Sequence, residues 1–266
     1  MTGEVAAAAG GCHLYSGCGF PAPGLQDFNF QTLFTIGSWH VTKPELVAIL
    51  CVIIVVVFFW AAFAKPKLVP GRTQSLGELA ILFVRDQIMR PQLGKKGDKF
   101  LPFISSLFFY IVVANLMELV PVIQFPVMSR IGFVIPLVAI MYILYWYQGF
   151  KTKGFTGYFK SWIPEAPIFI LPLLIPIEIL KYVVIQPFTL AIRLFANMFA
   201  GHLLLSIFMV ATWYLASASI GLLYAAGSLF MVFFVFLLEL LVDILQAFIF
   251  VTLVSGYLAD SMEYQH

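Results

Sequence analysis

The sequence predicts an all-α membrane protein: about five membrane-inserted helices plus one amphipathic surface helix, the last two inserted helices forming a long tilted hairpin. Two features of composition and one of pattern predict it. Of 266 residues, 62% are hydrophobic and only 11% charged, against roughly 45–50% and 25% in soluble domains. Mean hydropathy is +0.98. Apolar tracts recur at the ~20-residue length that crosses a hydrocarbon core. No water-soluble fold hides this much apolar surface, so the lipid bilayer must solvate much of it. A net charge of +2 implies no nucleic-acid partner.

Residues 1–44 read as an N-terminal extracytoplasmic segment, and 45–266 as the membrane domain. The first 44 residues hold one cation, Lys43, and lack the basic start and apolar core of a signal peptide. Cys12 and Cys18 flank HLYSG. They are either a disulfide in an oxidising compartment or two unpaired thiols. Cys51 sits in an apolar run, and no Cys/His cluster has metal-ligand spacing. Neither a metal nor a cofactor is expected.

The first span runs from about Glu45 to Ala64 and is closed by Lys65, Pro66 and Lys67. From about Thr73 to Pro91, apolar residues recur at helical spacing while Glu78, Arg85, Asp86 and Arg90 fall on other faces. That pattern suits a helix lying on the membrane surface, or one packed on other helices. The basic loop GKKGDK follows, then a second span from about Phe100 to Val120 with Asn115 and Glu118 near its end. The third span is about Ile131 to Trp146, followed by Lys151, Lys153 and Lys160. The remaining apolar tract, about Ile168 to Leu258, is too long for two upright spans. It divides into helices of about 168–212 and 220–259, which must tilt or bend. Pro172, Pro176 and Pro187 offer bending points in the first. Lys and Arg concentrate in 65–99 and 151–160, which places those segments and the C-terminus in the cytoplasm and the N-terminus outside.

Charge within a span costs roughly 2.5–3.5 kcal/mol on insertion scales, so the polar residues of the final hairpin carry the information. Arg193 lies in TLAIRLFANMFAGH, deep in its helix. A guanidinium keeps its charge in proteins. It either forms a structural ion pair with Glu239 or Asp243 or acts as a fixed functional cation. Arg193 and Asn197 share a helical stripe, and His202 falls about half a turn away from Arg193. Glu239, Asp243 and Gln246 form an i, i+4, i+7 stripe on the second helix. Imidazole and carboxyl groups titrate, so such stripes can pass protons. Asn115 and Glu118 are either solvated at the interface or line a vestibule on the same route.

The blocks TLAIRLFANMFAGH and LLELLVDILQAFIFVTLVSGYL resemble the C-terminal hairpin of subunit a of F-type ATP synthases. VPGRTQSLGELAILFVRDQI and ANLMELVP are similar to the same family's earlier segments, and the likeness extends over about Leu46 to His266. The resemblance implies a proton-channel stator of a rotary ATP synthase, not catalytic alone. It implies a ring of proteolipid c subunits, peripheral-stalk b subunits and the rest of the complex as partners, in a bacterial plasma membrane. Arg193 falls on the family's essential arginine, between two offset half-channels, and Gln246 on its neighbouring glutamine. His202 holds a position often Glu in bacterial members, and Glu239 one often His, so the two are exchanged here. The coupling ion implied is the proton. A proton-coupled secondary transporter is the alternative, although no internal two-fold repeat supports it. No GxxxxGK[ST] loop and no HExxH, GxGD or GxSxG motif points to nucleotide or intramembrane enzyme chemistry.

Overall fold

A computed structural model describes residues 19–24, 32–36, 39–120, 123–162, 167, 169–216 and 221–262. Cys12 and Cys18 lie outside the described residues. Five helices in the described residues are long and apolar enough to cross a membrane.

The segment before the first span contains a feature that the all-α expectation lacks. Strands β1 (Thr32–Ile36) and β2 (Trp39–Thr42) pair antiparallel, with Ile36 opposite Trp39 and Thr35 opposite His40. Thr, Phe, Ile, Trp and Val dominate these strands, as fits pleated backbone. β2 runs directly into α1 (Lys43–Phe63). The turn-in uses half of a capping box: Thr42 N–H donates to Glu45 Oε2 at 2.7 Å. Pro44 fits the first turn, where a missing N–H costs nothing.

The expected surface helix and second span are one nearly continuous helical run rather than two helices joined by a loop. α2 (Arg72–Phe83) continues as a π-helical turn over Val84–Met89 and as α3 (Arg90–Leu93). The basic GKKGDK loop is itself wound as a 3-10 helix, Gly94–Phe100, leading into α4 (Leu101–Leu116). Gly94 takes φ 57, a conformation that favours glycine, and this is where the run is broken. The third span is longer than its apolar stretch predicts. α5 (Ile131–Lys160) winds on through the lysines, with a break at Gly154, φ 71.

The hairpin is formed by α6 (Leu171–Leu180), a π turn over Lys181–Ile185, α7 (Gln186–Leu215) and α8 (Gly221–Met262). The bends have one physical cause. Each π turn ends two residues before a proline, Pro91 or Pro187. Proline has no N–H to give and its ring clashes with the carbonyl four residues back. The helix widens there, and the preceding residue bonds five back: Arg90 N–H to Arg85 O, and Gln186 N–H to Lys181 O.

The chain divides into two compact units. The first takes in the chain up to Ile54, Val112–Ser129 and Ala196–Leu245. Within it, Ser228 Oγ of α8 donates to the Phe208 carbonyl of α7 at 3.0 Å. The second takes in Val55–Ile111, Arg130–Phe195 and the chain from Gln246. There Gln74 clamps the approach to α2: its side chain accepts from Lys67 N–H at 3.0 Å and donates to Glu78 Oε1 at 2.8 Å. The residues beyond Gly154 fold back so that Tyr158 packs against Gly149. A Cβ at Gly149 would overlap the Tyr158 ring.

That contact yields a stability test. Gly149→Val should destabilise the detergent-purified protein by about 1–3 kcal/mol, the usual cost of overpacking. A fall in Tm checks it, and an unchanged Tm would mean that Tyr158 does not hold the fold-back.

Candidate functional site

The buried polar groups of the first unit converge on three helical segments. α4 and the turn after it supply Asn115 and Glu118, α7 supplies His202, and α8 supplies Glu239 and Asp243. All but His202 are buried: Asn115 and Asp243 are 0% exposed, Glu118 2% and Glu239 4%. Leu, Val, Phe, Ile, Met and Ala fill most of the neighbouring positions on these helices.

His202 is the hinge of the set. Its Nδ1 lies 2.9 Å from Glu118 Oε1, in a pair whose side chains are 15% and 0% exposed. The exchange of His202 and Glu239 suggested these two as mutual partners. The structure instead gives His202 its hydrogen bond with Glu118, while Glu239 lies within electrostatic reach of both His202 and Glu118. Asp243 is in turn an electrostatic neighbour of Glu239. Asn115 Nδ2 donates to the backbone carbonyl of Asp243 at 3.2 Å, a buried bond joining residues 128 apart. Asn115 therefore fixes the α8 backbone where Asp243 projects.

The carboxyl oxygens are only partly served by the protein. Glu118 Oε2, both oxygens of Glu239 and both of Asp243 are buried without a hydrogen-bond partner of ordinary geometry among the described residues. Buried polar atoms are ordinarily paired, so these five oxygens call for protons or water. A cavity of about 440 Å³ opens at the Glu118–His202 end of the set, lined by Glu118, His202, Gln124 and Ser206 at its polar side. One water needs roughly 10–15 Å³ of such space, so the cavity has room for a chain of them. Its other walls include Leu205, Met209 and Phe233. Groups this close titrate as a set: a proton on one changes the cost of charging the next.

Sequence reasoning missed Gly201. A Cβ there would overlap the Glu239 carboxyl, so the missing side chain makes the place in which Glu239 sits. An isolated glycine inside an apolar helix, next to its one histidine, is the signal that pointed to it. Gln124 was also missed; it lines the cavity and takes φ 42, and nothing in its sequence neighbourhood marks it.

The remaining expected residues stand elsewhere. Asn197 is half-buried on α7 and makes no hydrogen bond among the described residues. Arg193 and Gln246 belong to the second unit. Gln246 is 4% exposed, and its Nε2 has no partner in the protein. Arg193 is exposed on α7. Among the described residues its guanidinium is in none of the ion pairs, which include those of Arg85, Arg90, Lys181 and His202. It lies within electrostatic reach of the Tyr257 hydroxyl. Among the described residues no group of three or more His, Cys, Asp or Glu could hold a metal ion.

Comparison with known proteins places this arrangement. A family model described as ATP synthase A chain matches residues 46–259. ATP synthase subunit a of Streptomyces lividans is 42% identical over 260 residues, covering 96% of this chain and 92% of that protein. The subunit a of Frankia alni is 37% identical, covering 92% of this chain and 86% of its own. That of a Nocardioides species is 38% identical, with 94% and 96% covered. The family match takes in the polar cluster and the exposed arginine, and the chain belongs to the ATP synthase A chain family, whose members are membrane-sector subunits of the complex and not catalytic alone.

Proposed function

We propose that this chain is the proton-channel stator of a rotary F-type ATP synthase, with two offset half-channels separated by Arg193. The observation that carries the reading is Arg193 itself, a permanent cation exposed on an apolar helix and outside the ion pairs of the described residues. A charge so placed needs an anion from elsewhere. A ring of proteolipid c subunits, each bearing one carboxyl group, supplies one as it turns past. Arg193 attracts the ionised carboxylate, and its fixed charge keeps protons from leaking straight between the half-channels.

The cluster of Glu118, His202, Glu239 and Asp243 with its cavity serves as one half-channel, passing protons toward the ring. Asn115 holds Asp243 in register, and Asn197 and Gln246 act near the ring. Peripheral-stalk b subunits hold the chain still. The lysine-rich segments 65–99 and 151–160 face the cytoplasm of a bacterium, the N-terminal segment and the 121–130 turn face outward, and the coupling ion is the proton. Each charge crossing yields ~2.3 kcal/mol per 100 mV. One crossing is too little for ATP synthesis, and rotation sums several. Family membership favours this stator over a proton-coupled carrier.

Four outcomes test the reading. Arg193→Ala should abolish proton-driven ATP synthesis in membrane vesicles while the complex, ring included, still copurifies; retained synthesis would sink the gate. His202→Ala and Glu118→Gln should each slow proton flow, followed with a pH-sensitive dye. Their double variant should depart from additivity by about 0.5–3 kcal/mol, as contacting residues do; strict additivity would separate them. The exchange His202→Glu with Glu239→His should recover flow over either single change. Gly201→Ala should also slow proton flow in an assembled complex, because its methyl displaces the Glu239 carboxyl. Wild-type flow in that variant would show that the position of Glu239 is immaterial.

A further inference from the structure

A second, two-part cleft lies in the other unit and plays no role in the proton path. Beyond the break at Gly154, the end of α5 folds back and builds an aromatic cup. Phe150 meets Tyr158 edge-on at 4.8 Å, and Trp162 stacks on Tyr182 at 5.4 Å and 18°. On one side of the Tyr158–Trp162 wall is an apolar slot of about 450 Å³, lined by Trp146, Phe150, Phe159, Ile175, Ile179 and Val183. On the other side is a small polar pocket of about 160 Å³, with Lys153, Ser161, Tyr145, Tyr182 and Asp260. Tyr158 and Trp162 line both.

The polar pocket is built around a cation. Lys153 Nζ donates to the Asp260 carbonyl at 3.0 Å and lies 3.4 Å from Ser161 Oγ. The Tyr158 hydroxyl and the Trp162 indole N–H are buried at the wall between the two pockets, where Tyr158 has Tyr145 and Trp162 as its polar neighbours. Tyr158 is only 2% exposed. Lys151 and Lys160 flank the same fold-back. Lys181 sits beside Tyr182, 4.8 Å from the ring centre, and is paired with Glu178 at 3.0 Å. Four lysines against Glu178 and Asp260 leave the neighbourhood cationic.

We propose that this cleft binds an anionic phospholipid, an acyl chain in the apolar slot and the phosphate in the Lys153 pocket. An apolar slot sharing a wall with a small polar pocket that presents a lysine ammonium matches a molecule that joins hydrocarbon to a phosphate. Basic pockets between membrane helices take such headgroups. A soluble phosphate would use the polar pocket alone and leave the slot without a role. The inference does not depend on how Arg193 works, because its readout is lipid labelling and not proton flow.

The test uses the whole complex reconstituted in vesicles that contain phosphatidylglycerol or phosphatidylcholine with a photoactivatable acyl chain. Phosphatidylglycerol should label the segments 146–162 and 175–183, and phosphatidylcholine should label them far less. Lys153→Ala should lower phosphatidylglycerol labelling about fivefold, the loss expected when one lysine leaves an anionic headgroup. Lys153→Arg should retain it. Ile179→Trp, which fills the slot and leaves the cation in place, should lower labelling in the same way. Equal labelling by both lipids would overturn the proposal. So would labelling indifferent to Lys153→Ala and Ile179→Trp, displacement by excess inorganic phosphate, or no labelling of these segments.

Discussion

The 2.9 Å contact between His202 Nδ1 and Glu118 Oε1 is the interaction on which the polar interior of this protein depends. It joins residues 84 apart in the chain and brings a titratable base to a carboxyl whose side chain is 0% exposed. A charged carboxylate in such surroundings is expensive unless it is paired or hydrogen-bonded. The imidazole supplies that partner without fixing the charge state, because it can hold or release the proton between them. Glu239 is then drawn into the same field, Asp243 into that of Glu239, and Asn115 pins the backbone beneath Asp243. Each further group is tolerable only because the one before it is already in place.

Small and irregular backbone features make room for this set. Gly201 precedes His202 on α7 and leaves the volume that the Glu239 carboxyl occupies. A larger residue there would displace the Glu239 carboxyl from its place beside Glu118 and His202. The π turns before Pro91 and Pro187 serve a different purpose. They let long helices pass a proline with their hydrogen bonds re-registered and not lost, which matters where water is absent to satisfy a bare carbonyl. In both cases the local departure from ideal helix is the condition for keeping a polar group in hydrocarbon.

The spans and the hairpin were legible in the sequence because apolar runs are local signals, and so was the presence of Arg193, His202 and Glu239 within them. The joining of the expected surface helix to the second span was not. Its lysines and glycines read as a loop, but beyond the break at Gly94 they wind as a 3-10 helix into the second span. The strand pair before the first span was hidden because short Thr- and Phe-rich stretches also suit irregular chain. The partner of His202 was legible only in part. Stripe geometry and the exchange of acid and base pointed to Glu239, on the neighbouring helix of the hairpin. Glu118 comes from a segment 84 residues earlier, and no periodicity within one helix can report such packing.

Arg193 and the titratable cluster are opposite answers to the same energetic problem. The cluster meets the cost of buried charge by exchange: its carboxyls and imidazole can trade protons, so charge need not accumulate. A guanidinium has no such recourse, since it does not release its proton in a protein. Its cost is met only by an anion or by water, and it is in none of the ion pairs that the described residues make. Under the proposed function the missing anion is the ring carboxylate, present in turn as each c subunit passes. The chain is then energetically incomplete by itself. Filling that requirement with a fixed internal carboxylate would make a more stable subunit and a useless one, because a cation already neutralised could neither attract the ring nor bar the proton.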